Sequence, residues 1–217
     1  MNAASSKKRP MLITISGPSG TGKDAVINAL LGQDPKLKRG VTANTREPRP
    51  GEVNGVHYHF LTKDQFGDLE AKNGFLEVEK SNYGGNWYGT LRHVVEELFA
   101  EGIDLICDIT YSGVAQIKQS MPERHFGIML LPPNKERLEQ RLTGRNPALA
   151  DEGRKRLEQM LPDLEHLHDP NWTFEHIIDL KGSSYRDYDA VFINDVLDHT
   201  VAEVAKVITA ERDRREK

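Results

Sequence analysis

The stretch Gly17-Pro18-Ser19-Gly20-Thr21-Gly22-Lys23-Asp24 constrains this chain more than any other, because it lies between an apolar run at 11–15 and a helix-like segment at 25–31. Strand, glycine-rich turn and helix in that order are what a phosphate-binding loop of the form G-x-x-x-x-G-K-[ST] requires. The glycines let the backbone curl until its N–H groups face one point, and the following helix aims the positive end of its dipole there. Lys23 adds a full positive charge able to follow a transferred phosphoryl group. One position departs from the pattern. Asp24 stands where a hydroxyl residue normally reaches a magnesium ion, and its carboxylate offers such a cation an oxygen directly or through water.

The apolar runs at 103–109, 126–131 and 190–194 extend the strand–helix alternation. Short continuous apolar runs bracketed by helical segments predict strands buried on both faces of a parallel sheet. Helices are expected at 91–100, closed by Gly102, from an Asn134 N-cap through Leu142, over 154–167 with an interruption near Pro162, and over 200–212. Residues 41–90 form an α+β excursion: a segment rich in Pro and Gly up to residue 55, short strands at 58–61, 75–78 and 86–89, and a helix from a Thr62 N-cap to Gly74. Residues 33–39 read as a surface connection, 1–10 as a disordered leader, and the charged run 211–217 as a fraying, solvated helix end.

At 217 residues the chain fits one domain with sizeable insertions, and 37% hydrophobic with 29% charged residues gives ample material for a core. A net charge of −4 argues against a general nucleic-acid binder, so any anionic ligand must be held locally. No apolar stretch approaches the roughly 20 residues of a membrane span. The single cysteine, Cys107, lies inside an apolar run; it reads as core packing, and disulfide-free chemistry points to a reducing, cytoplasmic compartment. His166 and His168 read as surface histidines and Trp87 as a packing residue.

Arg46 and Arg49 sit in the irregular excursion, closely followed by Tyr58. Two guanidinium forks and a phenol suit a second phosphate, and a solvated loop with incidental charges fits them equally well.

These residues resemble guanylate kinase. The likeness is carried by the loop at 17–23, by Thr45-Arg46-Glu47-Pro48-Arg49-Pro50-Gly51-Glu52-Val53-Asn54-Gly55, Tyr58, Phe75-Leu76-Glu77 and Tyr88-Gly89-Thr90, and it continues through Pro132-Pro133, Arg141, Arg145, Arg156 and Asn194-Asp195. It implies a three-layer P-loop kinase fold of the α/β class with a parallel central sheet. Its core would be 11–40, 96–140 and 158–217, its small α+β insertion for the monophosphate 41–95, and its lid 141–157. It implies ATP and magnesium as cofactors and in-line phosphoryl transfer to GMP or dGMP. ATP would lie on Gly17, Pro18, Ser19, Gly20, Thr21, Gly22, Lys23, Asp24 and Asn194. The GMP phosphate would be held by Arg46, Arg49, Tyr58 and Tyr88, and the guanine by Glu77, Thr42 and Thr90. Arg141, Arg145 and Arg156 would close over the phosphates beside Lys23, and Asp24 and Asp108 would serve the metal.

Two departures matter. Asp24 replaces the loop hydroxyl, as it does in the related ribose 1,5-bisphosphate phosphokinases, and Thr110 stands where guanylate kinases usually carry an aspartate near the guanine amine. A related kinase acting on another nucleotide or a sugar phosphate is therefore one alternative, and a non-catalytic protein-binding module of the same fold is another.

Overall fold

The computed structural model describes residues 9–80, 85–144 and 187–217. The sequence alternation yields β1 (Leu12–Ser16), α1 (Lys23–Gln33), β2 (Leu37–Arg39), β3 (Ala43–Asn44), β4 (His59–Phe60), α2 (Lys63–Ala71), β5 (Phe75–Lys80), β6 (Trp87–Leu91), α3 (Arg92–Ala100), β7 (Asp104–Asp108), α4 (Tyr111–Ser120), β8 (His125–Leu131), α5 (Lys135–Gly144), β9 (Ala190–Ile193) and α6 (Leu197–Glu216). Five strands form a wholly parallel sheet in the order β2-β7-β1-β8-β9.

The continuous apolar runs of β1, β7 and β8 follow from burial on both faces; β9, expected to be buried likewise, is an edge strand of this sheet among the described residues, with Val191 36% and Ile193 57% exposed. On one face Ile13, Ile15, Ile106, Ile128 and Leu130 pack against Val26, Ile27 and Leu30 of α1 and Val201, Val204 and Ile208 of α6. The alternate residues Leu12, Leu105, Cys107, Met129 and Leu131 meet Val95 and Phe99 of α3 and Val114 and Ile117 of α4 on the other. Each buried aliphatic side chain contributes roughly 1.5–3 kcal/mol, so these two interfaces hold the three layers together. Cys107 packs as expected, and burial pushes its thiol up to about 12.

Two further expectations need correction. Residues 37–39 are the edge strand β2, paired in parallel with β7, rather than a surface connection. Only Leu37 of the three is buried, so a polar, exposed edge hid the strand from its apolar pattern. The charged C-terminus is docked along one face of α6, while Asp213, Arg214, Glu216 and Lys217 are exposed as expected. Glu211 is buried and accepts from Arg214 and Arg215, Arg215 also donates to the His125 carbonyl, and Arg212 bridges Asp34 and Asp104. Ion pairs at helical spacing anchor one face of this end of α6, and hydrophobic periodicity has no sight of them.

A second sheet, β4-β3-β6-β5, lies outside the main one and is mixed in direction. Its own core is Ala43, Phe66, Phe75 and Leu91, with Phe66 stacked on Phe75 at 4.2 Å and Trp87 edge-on to Phe66 at 5.7 Å. Thr62 caps α2 in a reciprocal box with Gln65, as its sequence position predicts. The small sheet joins the main layers through α4: the Gln116 amide accepts from the Val78 N–H and donates to the Val78 carbonyl, and Ser120 donates to the Leu76 carbonyl. A side-chain amide thus plays the part of a neighbouring strand for β5. The expected helix at 154–167 and the connection preceding β9 lie outside the described residues.

Candidate functional site

The chain leaves β1 at the point where strand order diverges, β7 lying on one side of β1 and β8 on the other. Crevices at the carboxyl ends of strands around such a point are where open α/β sheets bind ligands. The glycine loop fills that position. Gly17 passes so close to the Leu130 carbonyl that a Cβ would collide with it, and Gly22 caps α1 with φ of 89°, a left-handed conformation that disfavours other residues. No side chain caps the amides of the first turn of α1. Those donors and the helix dipole therefore face the loop's interior and fit a polyphosphate.

Lys23 Nζ donates to the carbonyls of Gly17 at 2.9 Å and Pro18 at 3.3 Å and stands 3.8 Å from Asp108 at the end of β7. Thr21 folds its hydroxyl back to the Pro18 carbonyl. The Thr21 carbonyl in turn accepts from Asn194 Nδ2 at 2.7 Å and from Arg141, whose other terminal nitrogen reaches the Asp195 carbonyl. Asn194 and Arg141 thus brace the loop from the β9 and α5 sides. Desolvation raises the Asp108 carboxyl above its ordinary range, with Lys23 opposing and Asp24 adding to the rise. Asp24 is exposed and accepts from Arg39 of β2, which also reaches Asn28 one turn along α1. Among the described residues no three acidic, His or Cys side chains gather as a metal cage. Two carboxylates beside a phosphate cradle are nevertheless the hard-oxygen donor set that suits magnesium, which takes one or two protein carboxylates and completes its shell with phosphate and water.

The second half of the site rises from the small sheet. Glu52 grips Arg46 through two parallel contacts of 2.6 Å, and the guanidinium lies over the Tyr58 ring at 5.1 Å. That fork pulls the Glu52 carboxyl down to about 2, chiefly through its hydrogen bond from Arg46, and it raises Arg46 further. Glu52 also accepts from the Arg49 backbone N–H. The loop that the sequence presents as turn-rich is therefore a pre-shaped cationic corner. Thr42, at its root, accepts from the His59 N–H through its carbonyl.

Glu77 and Thr90 oppose one another across the β5–β6 pair, and the Thr90 hydroxyl donates to Glu77 at 2.8 Å. Glu77 is only 5% exposed. Burial pushes its carboxyl up to about 7, the nearby Glu79 adding to the rise and Thr90 resisting it. Glu79 opposes Tyr88 in the same ladder. A cleft of about 670 Å³ then brings the halves together: Gly17, Lys23 and Asp108 line one side, and Glu79, Tyr88, Thr110 and Ser112 the other.

A family model described as guanylate kinase matches residues 7–211, most of the chain. The chain belongs to the guanylate kinase family. Relatives named guanylate kinase bear this out: that of Shewanella violacea is 39% identical over 205 residues, covering 94% of this chain and 89% of its own. The guanylate kinase of Escherichia coli O157:H7 is 36% identical over the same shares, and that of Pasteurella multocida 37% identical over 93% of this chain and 88% of its own. A crystal structure of guanylate kinase from Anaplasma phagocytophilum shares the fold with a TM-score of 0.65 at 22% identity, covering 94% of this chain and 87% of that one. The α/β fold with a parallel central sheet and the membership of a nucleoside monophosphate kinase family thus agree with the sequence reading.

Of the residues that the guanylate kinase resemblance singles out, Gly17, Lys23, Tyr88 and Asp108 share one cleft, Glu77 and Thr90 form a buried pair beside it, and Arg46 and Tyr58 stack together. Arg145 and Arg156 lie outside the described residues. Two carboxylates escaped the sequence reading. Glu52 was legible only as the acidic residue six positions after Arg46 in a turn; Glu79 only as the residue two along from Glu77 on the same strand face.

Proposed function

We propose that this chain transfers the γ-phosphoryl group of ATP to GMP or dGMP, giving ADP and the nucleoside diphosphate. The observation that carries the reading is the common cleft, with a cationic glycine loop on one side and Tyr88 of the second sheet on the other, in a chain of this family. In this reading the backbone of Gly17, Pro18, Ser19, Gly20, Thr21 and Gly22 cradles the donor phosphates, and Lys23 exchanges its loop carbonyls for phosphate oxygens. Asn194 and Arg141 hold the loop at the Thr21 carbonyl so that this exchange costs little reorganisation. Magnesium, when bound, would neutralise phosphate charge, with Asp24 and Asp108 supplying its oxygens directly or through water.

Arg46, Arg49, Tyr58 and Tyr88 hold the acceptor phosphate, and Glu52 fixes the orientation of the Arg46 guanidinium. Ionised Glu77 accepts from guanine N–H donors, with Thr42 and Thr90 supplying hydroxyls. Arg141, Arg145 and Arg156 balance the charge of the transferred group and exclude water. Bringing two polyanions into line against fixed positive charge accounts for catalysis without a covalent intermediate. A single buried cysteine suits the cytoplasm.

Purified protein with magnesium and ATP, offered GMP, dGMP, AMP and ribose 1,5-bisphosphate in turn, tests the reading through ADP release. Turnover with GMP and dGMP alone is expected. Turnover confined to the sugar phosphate would assign the chain to the related kinase, and silence with every acceptor would make it a binding module.

A further inference from the structure

Among the described residues, Glu79 is the one carboxylate lining the cleft for which neither donor loop nor metal has a use. It stands two residues beyond Glu77 on β5, so both side chains leave the same face of the strand about 6.6 Å apart along it. Two hydroxyls fix it: Ser112 Oγ donates to Glu79 Oε2 at 2.5 Å and Thr110 Oγ1 to the same oxygen at 3.2 Å. Thr110 has a lone pair left for its other task, capping α4 at the Gly113 N–H. The holding residues thus belong to the core layer while Glu79 belongs to the small sheet, and all three line the cleft. A hydroxyl at 110 appears to the sequence as the loss of a carboxylate; in space it reaches across to one.

We propose that Glu79, oriented by Thr110 and Ser112, is a specificity-determining residue of the acceptor site that accepts a hydrogen bond from the exocyclic amine of guanine, while Glu77 takes the ring N1–H. This rests on the GMP reading of the cleft. An ionised carboxylate only accepts, so the pair demands a ligand edge with two adjacent donors. Guanine presents both. Hypoxanthine keeps N1–H and lacks the amine; adenine has no N1–H. A polar site built for an absent donor leaves its carboxylate unpaired, which is where discrimination comes from. Thr110 and Ser112 act through Glu79 and are positioning residues.

The experiment compares kcat/KM for GMP and IMP, and the affinity for each measured by calorimetry without ATP, in wild type, Glu79→Gln, Glu79→Ala and Glu79→Ala/Thr110→Asp. Removing a charged acceptor costs about 10- to 100-fold. GMP efficiency and affinity are therefore expected to fall by that factor in Glu79→Ala and by less in Glu79→Gln, which keeps a neutral acceptor, with IMP unchanged within about threefold, so that the GMP preference collapses in the Ala variant. The double variant, which returns the carboxylate from the facing side, is expected to recover most of the preference, an outcome that a folding defect could not produce. Because Gln keeps an accepting oxygen, Glu79→Ala decides: an unchanged GMP-to-IMP ratio in it, with wild type active on GMP, would overturn the assignment to Glu79. Wild type inert toward GMP would overturn the GMP reading and this inference with it.

Discussion

Glu77 sits where its environment and its proposed task conflict. Its folded carboxyl titrates at about 7, raised mainly by burial, so the folded protein binds a proton that the unfolded chain has already released. The stability this confers is complete below the ordinary carboxylate range and is lost as pH rises through about 7. Glu77→Gln removes the penalty and is expected to stabilise the ligand-free protein at pH 8 by about 3 kcal/mol, read by thermal unfolding. Guanine recognition requires the ionised form, so kcat/KM for GMP should fall about tenfold per pH unit below about 7, and the Gln variant should lose that dependence together with its base preference. A flat GMP profile from pH 6 to 8 in the wild type would remove Glu77 from base recognition. Lys23→Ala should lower kcat by about 10³-fold or more, because no other described cation reaches the Gly17 and Pro18 carbonyls. At this scale the sequence made residue types visible but not partnerships. The G-K pair, Arg46 and Glu77 stand out by motif, whereas the Asp24–Arg39 and Glu79–Thr110 contacts join residues 15 and 31 apart.

The decisive contact between elements is the one between α4 and β5. Gln116 satisfies both backbone groups of Val78, the residue between Glu77 and Glu79, so it sets the position of both carboxylates relative to the core. Gln116→Leu keeps the volume and strips both hydrogen bonds. It is expected to cost about 2 kcal/mol and to raise KM for GMP while leaving KM for ATP within about twofold, a split that steady-state kinetics with each substrate varied will register. Equal changes in both constants would mean that the clamp serves stability only. The elements themselves were legible wherever hydrophobic period or caps spoke: β1, β7, β8 and β9 as continuous apolar runs, α2 from Thr62 and α5 from Asn134, whose side chain accepts from the Arg137 N–H. Edge strand β2 and the ion-paired end of α6 were not, because polar residues form them and only tertiary partners give them order.

For the molecule as a whole, the three-layer core follows from side chains that alternate between two apolar faces, and the site follows from where the strands end. One buried group links that core to pH. His125 on β8 bonds Thr14 of β1 and is held neutral, burial pulling its imidazole down to about 4. Between about 6.5 and about 4 the unfolded chain takes up a proton that the folded one refuses, so stability falls with pH across that window by about 3 kcal/mol in total. Glu77 gains a similar amount over the same range, so the loss is read in the Glu77→Gln background, where chemical denaturation at pH 7 and pH 4.5 should show it; its absence there would mean that His125 is protonated in the fold. In the proposed reading, function at this scale depends on one cleft between the two sheets, with a nucleotide held from each side. Phosphorus NMR of a mixture of the protein, magnesium, ATP and GMP tests that claim most directly. ADP and GDP resonances are expected to grow in equal amounts with no inorganic phosphate. Inorganic phosphate in place of GDP, or an unchanged spectrum, would contradict it.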